Sequence, residues 1–233
     1  DVQIKRLSGS LQGYPLSLSG GIKRQGDAIS ARDLVVESNR NRIVLNGSAT
    51  DAKGVAWQVD IADLTQLKPT LTGRLKGQGR VQGLLDGSYL DISIQKLEGQ
   101  LLEFPLNAAG QVGLRDKKVV ARDLALVVGQ NRAVFNGQID EKVGVTWTLD
   151  ARNLAQLNPQ LQGSLKGSGR LEGALDGSHL SISIAQLNGR LRDYPVTARG
   201  QVVVHDKALS TEGLSVEVGQ NRFVLSGKAG DKV

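Results

Sequence analysis

The seven residues NRIVLNG beginning at Asn41 return as NRAVFNG at Asn131 and as NRFVLSG at Asn221, each time 90 residues further on. The repetition is not confined to this phrase. Residues 161–233 laid over 71–143 without a gap are identical at about half of the positions. LTGRLKGQGRVQGLLDGSYL from Leu71 becomes LQGSLKGSGRLEGALDGSHL from Leu161, and VAWQVDIADLTQLKP from Val55 answers VTWTLDARNLAQLNP from Val145. Self-similarity at a fixed period means a repeat architecture, and it constrains the fold more than any single motif. The units read as a partial repeat over 1–70, a complete one over 71–160 and a partial one over 161–233, forming one elongated domain.

Inside each unit the apolar period is two. Val55, Trp57, Val59 and Ile61 alternate with polar residues, as do Leu90, Ile92 and Ile94. Alternation at that period is the signature of strands with one apolar face. Asn-Gly and Asp-Gly pairs at Asn46, Asp86, Asn136, Asp176 and Asn188 predict tight hairpin turns. Together these signals predict an antiparallel meander of roughly twenty strands. One segment breaks the rhythm. DLTQLKP from Asp63 and NLAQLNP from Asn153 space leucines three apart, which predicts a single helical turn per repeat. Asp63 or Asn153 is expected to cap it, and Pro69 or Pro159 to end it.

Sandwiches and closed barrels also satisfy alternation. Two features favour one continuous sheet: the repeat register crosses every boundary without a linker, and the helical turn recurs at one fixed place. A unit of 90 residues is too long for one coil of a short-period solenoid. Gly77 with Gly79 and Gly167 with Gly169 lie inside strands, where paired glycines are expected to permit bending. The prediction is an all-β chain whose long antiparallel sheet curls into a trough with an apolar lining. The lining is expected to comprise Leu16, Leu18, Ile43, Leu45, Val55, Trp57, Val59, Leu90, Ile92, Ile94, Phe104 and Leu106, continuing with Val145, Trp147, Leu149, Ile182, Ile184, Val196, Val216 and Phe223.

Chemistry is hard to place on this pattern. Cysteine is absent, so thiolate catalysis, disulfides and Cys-ligated metal are excluded. GQGRVQG from Gly77 is followed by a turn and a strand, not by the helix a dinucleotide fingerprint needs. The two histidines, His179 and His205, replace Tyr89 and Arg115 of the preceding unit and read as variable surface positions. The recurring Asp33, Asp86, Asp123 and Asp176 read as turn or strand-end residues, and no catalytic set, metal site or cofactor is expected. The net charge of +6 comes from scattered basic residues with few aromatics, so no nucleic-acid partner is expected. The Asn-Arg pairs at Asn41, Asn131 and Asn221 read as exposed strand starts, with guidance of anionic headgroups the lesser alternative.

The order L-x-G, Tyr/Phe-Pro, ARDL, N-R…N-G, D-L-x-x-L-x-P and a Gly-rich strand resembles the repeats of the TamB family, a branch of the AsmA-like bridge proteins of the Gram-negative envelope. The resemblance covers all 233 residues. It implies a U-shaped groove, the β-taco, that carries phospholipid acyl chains through the periplasm in a protein anchored in the inner membrane. It also implies pairing with the outer-membrane barrel TamA, through a C-terminal region expected to lie outside this stretch. A chaperone-like scaffold for outer-membrane proteins is the alternative role, and a closed, purely structural array is the third. Edge strands left unpaired are expected to pair with a second copy.

Overall fold

A computed structural model describes residues 1–11, 13–26, 28–66, 71–84, 88–101, 103–115, 118–139, 144–173, 179–205 and 208–229. The chain is all-β, and within each unit the strands lie in sequence order with antiparallel pairing. It divides into two units, Asp1–Lys117 and Lys118–Val233.

The first unit holds β1 (Val2–Leu11), β2 (Tyr14–Gln25), β3 (Ala28–Ser38), β4 (Asn41–Ser48), β5 (Val55–Ile61), β6 (Gly73–Gly83), β7 (Tyr89–Leu101) and β8 (Phe104–Arg115). The second holds β9 (Lys118–Val128), β10 (Asn131–Ile139), β11 (Val145–Ala151), β12 (Gly163–Gly173), β13 (His179–Leu191), β14 (Tyr194–His205), β15 (Ala208–Val218) and β16 (Asn221–Ala229). A 3₁₀ turn follows β5 at Leu64–Gln66 and another follows β11 at Leu154–Gln156. The strand beginning at Phe104 is β2 moved by 90 residues, and each later strand repeats its counterpart in the same way.

Sixteen strands stand among the described residues, fewer than the sequence suggests, because three of the expected turns are strand interiors. Asn46-Gly47 lies within β4, Asn136-Gly137 within β10 and Asn188-Gly189 within β13. Asp86-Gly87 and Asp176-Gly177 fall outside the described residues, as does Pro69.

The asparagine of the first two pairs has a different task. Asp33 and Asp123 sit at φ +46° and +47°, a left-handed conformation that Asp tolerates better than most residues. Each marks a bulge in the middle of its strand, at the register shift between Ala31 and Leu34 in one copy and opposite Phe135 and Gly137 in the other. They are therefore neither turn nor strand-end residues. The Asp33 backbone N–H donates to Asn46 Oδ1 at 2.6 Å, and Asn46 Nδ2 donates back to Asp33 Oδ1 at 2.9 Å. Asp123 and Asn136 repeat both bonds, at 2.5 and 3.2 Å. The third copy makes the bulge with Gly213 at φ +65° and holds its N–H with Ser226 Oγ at 3.0 Å. ARDL and NG are thus two halves of one staple, 13 residues apart.

The turns are also held from a distance. Asn41 and Asn131 are buried, at 7% and 4% exposure, which corrects their reading as exposed strand starts. Asn131 Nδ2 donates to Asn153 O at 2.9 Å and to Gln156 Oε1 at 3.2 Å, while its Oδ1 accepts from the Asn153 N–H at 3.0 Å. Asn41 makes the same set with Asp63 and Gln66. Asn131→Ala leaves these partly buried backbone groups without partners and is expected to cost about 2–3 kcal/mol. A urea titration followed by circular dichroism checks it, and Arg132→Ala should cost far less.

The two turns differ at their starts. Asp63 accepts from the Thr65 hydroxyl at 2.6 Å and the Thr65 N–H at 2.9 Å, whereas Asn153 makes no side-chain cap, contrary to the sequence expectation. Those two bonds, the hydroxyl's first, hold the Asp63 carboxyl below its ordinary value. A carboxyl with a depressed folded pKa contributes stability above its unfolded value near 4 and loses it as pH falls through the folded one. Amide exchange at Thr65 should therefore accelerate relative to its intrinsic rate as pH falls below about 4, while Ala155 shows no such step. Equal behaviour at both turns would contradict the cap assignment.

Candidate functional site

Residues opposite one another across paired strands share a face, so register decides where the expected lining lies. In the first unit, Leu18 opposes Val36, Val36 opposes Ile43, Ile43 opposes Val59 and Val59 opposes Gly77. Parallel to it run Leu45, Trp57, Gly79 and Ile94, and beside those Val55, Val81, Ile92 and Val112. Leu16, Leu90, Phe104 and Leu106 fall on the same face by alternation. All of the expected residues of this unit share it.

The second unit repeats the arrangement. Trp147 lies between Phe135 and Gly169, Leu149 opposes Gly167, and Val145 leads through Leu171 to Ile182. Ile184, Val196, Val216 and Phe223 complete the same face. Of all the expected positions, Val55, Val145 and Val196 are buried, Phe223 is exposed, and the others are half-buried. Among the described residues no large side chain is fully buried. The face is apolar without being the inside of a closed core.

The glycine pairs have a role the sequence reading missed. A Cβ at Gly79 would lie 2.5 Å from Trp57 Cζ2, and one at Gly169 would lie 2.6 Å from Trp147 Cζ2. Each indole therefore rests on a strand left bare to receive it. Gly77 and Gly167 similarly seat the Cδ1 atoms of Leu97 and Leu187. A register shift just before Gly79 and another just before Gly169 add bulges there, so any bending has a second source besides glycine. The indole N–H groups of Trp57 and Trp147 are buried without an acceptor, so the tryptophans serve this face as apolar surface.

Leu97, Val81 and Val112 in the first unit, and Leu171, Leu187 and Val202 in the second, belong to the face but escaped the sequence reading. Leu97 follows Ile94 by three residues, and the bulge between them restores it to the apolar side.

The opposite face is a charge ladder. Across β3 to β7 the register sets Glu37, Arg42, Asp60, Lys76 and Glu98 in one row of alternating sign. Arg42 reaches Glu37 at 3.6 Å, Lys76 reaches Asp60 at 2.9 Å, and Lys96 reaches Glu98 at 2.8 Å. In the second unit Arg132, Asp150 and Lys166 repeat the middle of the row, and Arg222 pairs with Glu217 at 3.6 Å. The arginines of the Asn-Arg pairs thus stand on the polar face, which removes the basis for headgroup guidance beside the apolar lining. These exposed pairs add little stability each, but their order opposes a slipped register. A shallow open depression on this side is lined by Arg42, Asp60, Lys76 and Lys96, and of the expected lining only Val59 borders it.

Each unit is thus an antiparallel repeat sheet with one apolar and one charge-laddered face. Among the described residues no group of three or more His, Cys, Asp or Glu side chains is placed to hold a metal ion. The family model "TamB, N-terminal domain" matches residues 1–95 and again 85–185, and the chain belongs to that family. It is 23% identical over 182 residues to the translocation and assembly module subunit TamB of Haemophilus influenzae, covering 76% of this chain and 14% of that protein. The chain thus spans about a seventh of the curated relative it matches. No solved structure matches.

Proposed function

We propose that this chain is a stretch of a periplasmic conduit that carries phospholipid acyl chains along its apolar face, between the inner and outer membranes of a Gram-negative envelope. The observation that carries the reading is the uncovered state of that face. A soluble domain normally hides so continuous an apolar surface behind a second layer. Here Trp57, Ile92, Ile94 and their repeats stay partly exposed. An acyl chain of sixteen carbons leaves water at a gain on the order of 12 kcal/mol, about 0.8 per methylene. Because successive copies present nearly the same side chains, no position need hold the chain much more tightly than the next, and movement between positions meets no deep well.

The family supports an envelope role, and the relative's name places that protein in a translocation and assembly module. A second reading is a scaffold for outer-membrane protein assembly with the barrel TamA, and it is supported by the relative's name as a translocation and assembly module subunit.

Photo-crosslinking in cells separates the two. A benzoylphenylalanine at Ile92 should capture phospholipid, and one at Gln78 on the other face should not. Capture of outer-membrane proteins, with no lipid at Ile92, would favour the scaffold.

A further inference from the structure

The chain contains two histidines, and the fold sets them face to face. His179 opens β13, His205 closes β14, and they are direct partners across the strand pair. Their ring centroids lie 5.9 Å apart with the planes at 67°. By alternation both belong to the polar face, since their neighbours Leu180 and Val204 belong to the apolar one.

The same place in the preceding copy is a self-sufficient clasp. There the Arg115 guanidinium stands 5.0 Å above the Tyr89 ring and reaches Asp91 at 3.6 Å. Cation and π-face attract without any third component. Two imidazoles held edge to face attract one another more weakly than a cation over a ring does. A metal ion would restore the clasp.

We propose that His179 and His205 bind one borderline divalent transition-metal ion of the zinc, nickel and copper(II) class, which ties β13 to β14. Metal–nitrogen bonds of about 2.0–2.1 Å to one nitrogen of each ring put the centroids roughly 5–6 Å apart, so small rotations of the rings suffice. Imidazole suits these ions, whereas calcium and magnesium require oxygen ligands. Ala208, whose side chain is a single methyl, opposes His205 from β15. Solvent fills the remaining coordination positions, since no third ligating side chain joins the pair among the described residues. The second nitrogen of each ring can donate to a protein or water partner, as metal-bound histidines do.

Isothermal titration of the untagged chain with nickel, zinc and copper(II) chlorides tests the proposal. One ion per chain is expected, with copper(II) bound most tightly and no heat from magnesium or calcium. His179→Ala and His205→Ala should each weaken binding at least tenfold while circular dichroism shows the fold intact. Installing the same pair in the preceding copy, by Tyr89→His with Arg115→His, should raise the stoichiometry to two. Absence of binding by the folded chain, binding that survives His179→Ala/His205→Ala, or a stoichiometry that stays at one in the four-histidine protein would each overturn it.

Discussion

Val59→Glu and Ile92→Glu are expected to strip bound phospholipid from the chain, lowering affinity for a fluorescent phospholipid by tenfold to more than a hundredfold. Both residues are half-buried in the middle of the apolar face, with apolar or glycine neighbours on either side. Burying one such side chain against an acyl chain is worth about 1.5–3 kcal/mol. A carboxylate there loses that contact and adds the cost of its own desolvation. Each 1.4 kcal/mol is a factor of about ten in affinity. Gln58→Glu and Gln78→Glu supply the control, because both glutamines are exposed on the charge-laddered side. Retained affinity in the control pair and lost affinity in the test pair is the predicted result. Equal losses from both faces would mean that charge alone disturbs binding and that the apolar face is not the site.

The second large effect concerns stability. Gly79→Val and Gly169→Val should each unfold the sheet around the substituted strand, and Gly79→Ala should cost about 3 kcal/mol. The added Cβ meets the indole on one side and the Ser93 carbonyl oxygen on the other, or the Ser183 oxygen in the second copy. Neither neighbour gives easily, since one is a ring packed between strands and the other is backbone. The intrinsic fluorescence of Trp57 and Trp147 reports the change directly, and urea midpoints measure it. Combining Gly79→Ala with Trp57→Ala should recover only part of the loss, because the carbonyl clash remains; the coupling isolates the indole's share. If Gly79→Ala is neutral, the indole does not rest where this account puts it.

Much of this was readable from the residues, for a physical reason. Alternation through Val55, Trp57 and Val59 reports directly on a face, because side chains of a strand have period two. A strict period of 90 residues transfers each assignment to the next copy. What failed to show was whatever interrupts that period. Bulges put Leu34 three residues after Ala31 and Leu97 three after Ile94, so a reader counting by twos loses the face at each of them. Asn46-Gly47 looks like a hairpin signal because Asn and Gly favour left-handed backbone. Its asparagine instead bonds Asp33, a partner that becomes visible only when β3 and β4 are paired. Asn41 reads as exposed for a related reason. Its partners lie 22 and 25 residues away, so nothing in the local sequence marks it as buried. The glycines at 79 and 169 stand out in the sequence as glycines inside strands, which suggests bending. Their contact is with an indole on the neighbouring strand, and seeing it requires register.

Mass spectrometry of an organic extract from the chain, purified from bacteria without detergent, tests the central claim most directly. Phospholipid at about one molecule per chain or more, reduced by Ile92→Glu and unchanged by Gln78→Glu, is the result this account predicts. Folded protein that carries no lipid would contradict it, and would mean that the apolar face is covered by something other than acyl chains.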